Sequence, residues 1–289
     1  MNPTQAAISL APRALEPRAL ALAFLTGVLR QGRTFDEMLG AGAGRSALVA
    51  CDRNFVRLVV ATALRRLGQI DAAIAAMLDR PGLLKPSVHD VLRLGAVQLL
   101  FLDTPAHAAV DTTVELAGAN SETAIYKKLV NAVMRRLGRE GRAVVAGQDA
   151  GCLNTPDWLW QSWVAAYGEA CARAIADAHL IEAPLDISLK DPAGASLWAE
   201  RLEARILPTG TLRRSAGGVV SELAGFGDGA WWIQDAAAAL PAALLGDVRG
   251  ARVFDFCAAP GGKTAQLAAA GARVVAVDRS ARRLARLQA

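Results

Sequence analysis

The fold of the C-terminal part of the chain is decided by Arg252-Val-Phe-Asp-Phe-Cys-Ala-Ala-Pro-Gly-Gly-Lys-Thr-Ala-Gln-Leu267. The apolar run at residues 253–256 predicts a short buried strand with Asp255 embedded in it. A Pro-Gly-Gly turn follows at residues 260–262, and Lys263 then opens a helix rich in alanine and leucine. The segment therefore predicts a strand, a glycine loop and a helix in succession.

A second predicted strand, residues 273–277, follows that helix and delivers Asp278 at its carboxyl end. A strand, a glycine loop, a helix, a strand and an acid in this order are typical of the first βαβ unit of a nucleotide-type site. Glycines let a ligand approach the backbone closely, and a helix start offers free N–H groups. Asp278 lies 17 residues after Gly261, close to the roughly 20-residue offset at which such an acid holds ribose hydroxyls.

Three ligands compete for this loop. A dinucleotide requires G-x-G-x-x-G, which is absent. A nucleoside triphosphate requires G-x-x-x-x-G-K-[ST], and Gly262-Lys-Thr264 supplies only the end of that pattern. Cys257 occupies its first glycine position, and Pro260 removes a backbone donor from the phosphate nest. S-adenosyl-L-methionine carries no phosphate and fits best, while the triphosphate stays open as an alternative.

Specific roles follow for the residues of the loop. The residues predicted to lie along the methionine part of the cofactor are Cys257, Ala258, Ala259, Pro260, Gly261 and Gly262. Lys263 is expected either to reach the methionine carboxylate or to serve in packing. Asp278 is expected to hold the ribose hydroxyls, and it can also cap the following helix. Asp255 must find donors inside an apolar strand, and the backbone amides of its own loop are the expected partners.

Cys257 is not predicted to be a nucleophile. A small, soft side chain in a tight loop is ordinary packing. No acid, base or histidine lies near it in the sequence to activate the thiol.

Several segments resemble one enzyme family. Asp255-x-Cys-Ala-Ala-Pro-Gly-Gly-Lys-Thr264 resembles the cofactor loop of the RNA 5-methylcytosine methyltransferases, and residues 229–236, Gly-Ala-Trp-Trp-Ile-Gln-Asp-Ala, resemble the segment that precedes this loop. Three further stretches resemble the NusB-type helical domain of the RsmB branch, also called Sun or Fmu: residues 91–100, 105–110 and 128–136. The resemblance covers nearly the whole chain, most strongly residues 45–138 and 229–289.

The resemblance implies methyl transfer from S-adenosyl-L-methionine to C5 of a cytosine in small-subunit ribosomal RNA. In the family, a cysteine thiolate adds to C6 so that C5 becomes nucleophilic, and a base later removes the C5 proton. The family's cysteines lie on loops after later strands, in Pro-Cys and Thr-Cys elements that this sequence lacks. We therefore expect the catalytic residues beyond Ala289, a chain truncated within the catalytic domain, loose packing at residues 250–289, and no activity from this polypeptide alone.

The predicted fold class is multidomain. Its parts are an all-α NusB-like RNA-binding bundle at residues 1–140, a linker at 141–152, a small α+β connector at 153–228, and the N-terminal part of an α/β Rossmann-like S-adenosylmethionine-dependent methyltransferase domain at 229–289. Within the bundle, Gly68 is expected to end a helix. Ser87-Val-His-Asp90 resembles a capping box with aspartate in place of glutamate.

The net excess of positive charge is confined to the first part of the chain. Residues 1–140 hold 17 lysines and arginines against 12 acids, and residues 141–289 hold 15 against 15. This excess serves either solubility or contact with a phosphate backbone. The predicted RNA-binding residues lie on the last helix of the bundle: Lys127, Lys128, Arg135 and Arg136. Spacings of 7 and 8 residues place Lys128, Arg135 and Arg136 on one helical face, and a plain solvated face is the alternative.

The remaining composition argues against other classes. Four scattered cysteines and three histidines indicate neither a metal site nor a disulfide framework. No apolar run is long enough to predict a membrane span, and the cysteine usage makes a reducing cytoplasm the expected location. The resemblance implies small-subunit ribosomal RNA as the partner. Two other functions stay open: a non-catalytic NusB-like RNA-binding protein of antitermination, and a P-loop NTPase.

Overall fold

The computed structural model of the chain describes residues 15–35, 38, 49–215 and 220–288. It divides into two compact units, Met1–Ile181 and Glu182–Ala289. Ala289, past which the catalytic residues are expected, lies outside the described residues.

In the described residues of the first unit, every regular element is a helix. Its helices are α1 Glu16–Gln31, α2 Ala50–Arg65, α3 Leu67–Ala76, α4 Pro86–Leu100, α5 Ala106–Ala119, α6 Ser121–Ala124, α7 Lys127–Ala146, α8 Ala150–Leu153, α9 Asp157–Tyr167 and α10 Glu169–His179, with a 3₁₀ turn at Pro81–Leu83.

Helix α4 is the centre of this unit. Proline stands at its first position, where a missing N–H costs nothing, and the chain leaves the helix before Pro105. Apolar residues lie on nearly every side of α4, and they are buried, Val91, Leu92 and Leu94 among them. Helices α1, α5 and α7 pack against it and share one core cluster with it. The all-α prediction for this region is confirmed.

Asp90 is buried in α4 and does not cap it. Only 1% of its side chain is exposed, and it accepts hydrogen bonds from Arg30 and Arg93. Arg93 also makes a two-bond ion pair with Asp71. Burial alone raises the pKa of Asp71, but hydrogen bonds from Arg93 and His89 outweigh it and hold the pKa below its ordinary value. The predicted capping box is wrong, because the charge of Asp90 is used for these tertiary ion pairs.

Two glycines mark close packing where the sequence suggested breaks. Gly68 lies inside α3, and a Cβ there would sit 1.7 Å from the carbonyl oxygen of Leu153. Gly141 is buried inside α7, and its Cβ would sit 2.8 Å from Leu100. The predicted linker at residues 141–152 is therefore wrong, because α7 and α8 occupy most of it.

The second unit contains two sheets. Its strands are β1 Leu185–Leu189, β2 Arg205–Ile206, β3 Leu212–Arg214, β4 Trp231–Ile233, β5 Arg252–Asp255 and β6 Arg273–Ala276; its helices are α11 Ala195–Arg201, α12 Ala236–Ala243, α13 Gly262–Ala269 and α14 Ala281–Gln288, with 3₁₀ turns at Pro192–Gly194 and Val220–Glu222. An antiparallel sheet has the order β2-β3-β1-β4, and β5 pairs with β6 in parallel.

Two domain boundaries differ from the predicted ones. Strand β4 pairs with β1 in the register Ile187↔Ile233, so the division at residues 228 and 229 separates strands of one sheet. Helices α9 and α10, which were assigned to the connector, belong to the first compact unit. The mixed α/β character of the C-terminal part is confirmed.

Strand β5 is not the buried strand that its apolar residues predicted. Phe254 is 49% exposed and Phe256 is 72% exposed. Their rings stack with centroids 6.0 Å apart, and Arg252 lies over the Phe254 ring. Helix α13 packs against β5 and β6 next to a small core of Ala242, Val248 and Leu267. In the described residues, the face of β5 that carries Phe254 remains open to solvent.

Candidate functional site

The glycine loop connects β5 to α13 through a turn that requires glycine. Gly261 has a φ of 121°, a conformation that side-chain-bearing residues rarely adopt. A Cβ at this position would also lie 3.2 Å from Cδ1 of Leu287 in α14. Backbone conformation and space therefore both select glycine here.

Asp255 joins the two ends of the loop. Its Oδ1 accepts the backbone N–H of Cys257 at 3.3 Å, and its Oδ2 accepts the hydroxyl of Thr264 at 2.7 Å. The predicted partner, an amide of its own loop, is confirmed. The hydrogen bond from the Thr264 hydroxyl was not predicted. Thr264 follows Asp255 by nine residues and lies in the adjoining helix α13.

Asp278 holds the middle of the loop. Its Oδ2 accepts the N–H of Ala259 at 3.0 Å, and its Oδ1 accepts the N–H of Ser280 at 2.9 Å. The Ser280 hydrogen bond, followed by the one from Ala259, lowers the pKa of Asp278 despite opposing desolvation. Asp278 was expected to cap α14, but the capping side chain is that of Ser280, whose hydroxyl accepts the N–H of Arg283 at 3.3 Å.

Arg283 holds the other side of the same peptide segment. Its guanidinium donates to the carbonyl oxygen of Ala259 and lies 3.9 Å from Oδ2 of Asp278. Both backbone groups of Ala259 are therefore fixed by side chains that follow β6. Arg283 is not among the predicted site residues, and its signal in the sequence is its position five residues after Asp278.

The N–H groups of the loop fall into two sets. Those at Cys257, Ala258 and Ala259 point to protein acceptors, namely Asp255, the carbonyl of Val277 at 3.1 Å and Asp278. Pro260 has none. The next groups, at residues 261–263, start α13 and have no acceptor among the described residues. The loop therefore offers free donors only at the helix start.

The side chains of the loop differ in access to solvent. Ala258 and Ala259 are buried, whereas the free thiol of Cys257 is exposed. Lys263 is exposed beside the free N–H groups of the helix start. The structure thus brings together the predicted loop residues and Asp278, and their role in binding remains a prediction.

The predicted RNA-binding residues on α7 differ in their exposure and in their partners. Lys128 and Arg135 are exposed, and Nε of Arg135 donates to Asn131. Arg136 instead pairs with Glu140 at 3.0 Å and donates to the carbonyl oxygen of Met77. The charge of Arg136 is therefore partly neutralised by Glu140, and the role of these residues in RNA binding stays a prediction. Lys127 is exposed, and its stem lies beside Gly118.

Comparison with known proteins identifies both ends of the chain. Residues 15–139 match the NusB family, and residues 242–289 match the family described as 16S rRNA methyltransferase RsmB/F. Residues 242–289 belong to the RsmB/F family and residues 15–139 to the NusB family.

Relatives of this chain match most of its length. The ribosomal RNA small subunit methyltransferase B of Thermus thermophilus is 34% identical over 94% of this chain and 62% of its own length. The corresponding protein of Xanthomonas campestris is 35% identical, with coverages of 94% and 63%. A probable methyltransferase B of Synechocystis is 29% identical, with coverages of 94% and 66%. The chain spans less than two thirds of the length of these curated relatives.

A solved structure shares the fold. The crystal structure of PH0851 superposes with a TM-score of 0.65 at 16% identity, covering 96% of this chain and 66% of that protein. In the described part of this chain, no group of histidines, cysteines and acids could hold a metal ion. Among its described helices, none is long and apolar enough to cross a membrane.

Proposed function

We propose that this chain forms the methyl-donor site of an RNA methyltransferase. The donor is S-adenosyl-L-methionine, held by residues 257–263 and Asp278 at the first strands of a Rossmann-like domain. The acceptor is C5 of a cytosine in small-subunit ribosomal RNA. The RsmB/F match and the names of the relatives support the reaction class.

The observation that carries the proposal is the direction of the loop's donors. A phosphate nest needs successive N–H groups that face the ligand. Here the N–H groups of Cys257, Ala258 and Ala259 face Asp255, Val277 and Asp278. The Thr264 hydroxyl, which a P-loop would give to Mg²⁺, donates to Asp255. A triphosphate therefore finds few of its usual partners.

The remaining groups suit the methyl donor. Free N–H groups at residues 261–263 and the ammonium of Lys263 provide donors for an amino acid carboxylate. Each oxygen of Asp278 accepts one backbone N–H and keeps a further lone pair for a ribose hydroxyl. The bound cofactor supplies an activated methyl group. The thiolate attack on C6 is assigned to no residue of this chain.

RNA binding is assigned to the NusB-family domain. Lys128 and Arg135 present positive charge on the exposed side of α7. Arg139 extends the same side, because it lies one helical turn after Arg135. Neutralising phosphates along this face would give affinity that depends on salt.

A second function is favoured by the NusB match alone. In it, the chain binds RNA without binding a methyl donor, as an antitermination-type protein does. Isothermal calorimetry of this chain with S-adenosylhomocysteine separates the two. Saturable binding, together with no heat from Mg²⁺-ATP, supports the methyl-donor site. RNA binding without S-adenosylhomocysteine binding supports the second function.

A further inference from the structure

Gln234 lies where the antiparallel sheet meets the glycine loop. It follows β4 directly, and only 6% of its surface is exposed. A Cβ at Gly262 would lie 3.5 Å from its Cγ and 3.6 Å from its Cδ. The side chain of Gln234 therefore packs against the first residue of α13, next to the free N–H groups of the helix start.

Both the oxygen and the nitrogen of the Gln234 amide form hydrogen bonds. Its Oε1 accepts the hydroxyl of Ser188 at 3.0 Å and the indole N–H of Trp232 at 2.8 Å. Its Nε2 donates to Oε1 of Gln266 in α13 at 2.8 Å, and Gln266 in turn donates to the carbonyl of Ala239 in α12 at 3.0 Å. These bonds fix the orientation of the amide, because its oxygen has two donors and its nitrogen has one acceptor.

We infer that Gln234 is a positioning residue for the methyl-donor loop, through which the antiparallel sheet sets the placement of Gly262 and the start of α13. The inference rests on the proposed function. The chain of bonds runs from β1 and β4 through the amide to α13 and α12. A buried amide of this kind is costly to replace, since each partner would be left unpaired.

The test is calorimetry of S-adenosylhomocysteine with the whole chain and three variants. Gln234→Met keeps the length of the side chain but leaves Ser188, Trp232 and Gln266 unpaired. We expect its affinity to fall about tenfold. The control is Gln98→Met in the helical unit, where Gln98 is also buried and pairs with Arg18 and the carbonyl of Leu94. It should lower the melting temperature and leave the affinity unchanged.

Gln234→Glu gives a readout that a purely structural role would not produce. An ionised carboxylate only accepts, so it repels Oε1 of Gln266 and weakens binding. Protonation restores one donor, and burial raises the pKa of such a carboxyl. The affinity of Gln234→Glu should therefore recover between about pH 8 and pH 5, while the wild type stays level across this range.

The outcomes separate the inference from the proposed function. Wild-type affinity in Gln234→Met, or a level profile in Gln234→Glu, overturns the positioning role while the methyl-donor site stands. Equal loss in Gln98→Met also overturns it, because the effect would then follow stability alone. Absence of S-adenosylhomocysteine binding in the wild type overturns the proposed function itself. If Gln234→Met fails to fold, Gln266→Met tests the same bond from its other end and is expected to give the same loss.

Discussion

The carboxylate of Asp278 accepts the backbone N–H of Ala259 at 3.0 Å across 19 residues of chain. This bond ties the end of β6 to the loop that follows β5. With Asp255 bridging Cys257 and Thr264, two aspartates at adjacent strand ends hold the loop in shape. The loop is thus organised before any ligand arrives, which reduces the ordering that binding must impose.

Asp278 gives a pH prediction. Its folded-state pKa is lowered, first by the hydrogen bond from Ser280 and then by the one from Ala259. Its stabilising contribution is therefore fully present above the ordinary aspartate pKa and is lost as pH falls through the lower folded value. The Ala259 amide proton, followed by NMR, should titrate below the ordinary range. The titration should vanish in Asp278→Asn; its persistence there would assign the effect to another acid.

Thr264 gives a prediction about loop shape. Thr264→Val keeps the volume but removes the hydroxyl bond to Asp255. We expect S-adenosylhomocysteine binding to weaken, with a loss of about 1 kcal/mol in stability. Thr113→Val is the matched control, since its buried hydroxyl only donates to Ala109 within one helix. Calorimetry and thermal unfolding measure both. Equal affinities in the two variants would contradict the role of Asp255 as a bridge.

Gly261 gives a prediction about the turn. Gly261→Ala forces a methyl-bearing residue to a φ of 121° and places it 3.2 Å from Leu287. The substitution should lower the stability by about 1 to 3 kcal/mol. The affinity for the methyl donor should fall as well. Gly82→Ala is the control, because its Cβ would meet nothing within 4 Å. Hydrogen exchange of the loop amides should rise in the first variant alone. Unchanged exchange in Gly261→Ala would show that the turn relaxes without cost.

The sequence predicted local features well. The order of β5, α13 and β6 followed from periodicity and glycine placement, and the bounds agree closely with the predicted ones. The predictions for glycines are wrong where a tertiary contact requires the glycine. Gly68 and Gly141 are required by contacts with Leu153 and Leu100, which no local pattern reveals.

Long-range pairing explains the other differences. The exposure of Phe254 depends on what covers the strand, not on its own residues. Arg283 and Gln234 reach the loop through folds of the chain whose geometry the sequence does not state. Arg136 carries the expected charge, but the sequence does not state that its guanidinium pairs with Glu140 and donates to the carbonyl oxygen of Met77.

Asp90 gives a prediction about stability. Its side chain is almost fully buried and paired with Arg30 and Arg93. Asp90→Asn removes the charge that both guanidiniums face, so unfolding in urea should show a loss of about 3 kcal/mol. The control is Asp103→Asn, whose side chain is 85% exposed in its pair with Arg142. That variant should change stability by less than about 1 kcal/mol. Similar losses in both would contradict the importance of the buried network.

The exposed side of α7 gives a prediction about RNA. Arg135→Ala removes a charge that has no acidic partner among the described residues. With a transcript of small-subunit ribosomal RNA, the slope of log affinity against log salt should become shallower by about 0.7 to 0.9. Arg173→Ala removes one charge of the same type, paired with Asp149 and Glu169 in the described structure. Equal effects would show that RNA responds to net charge and not to this face.

Crystals of the chain soaked with S-adenosyl-L-methionine or, separately, with Mg²⁺-ATP would show which ligand the glycine loop binds. We expect density for the methyl donor along residues 257–263, with its ribose hydroxyls at the Asp278 carboxylate. We expect no ordered triphosphate in the same loop. A loop that stays empty with the methyl donor, yet orders a triphosphate against Lys263, would contradict the proposed methyl-donor site.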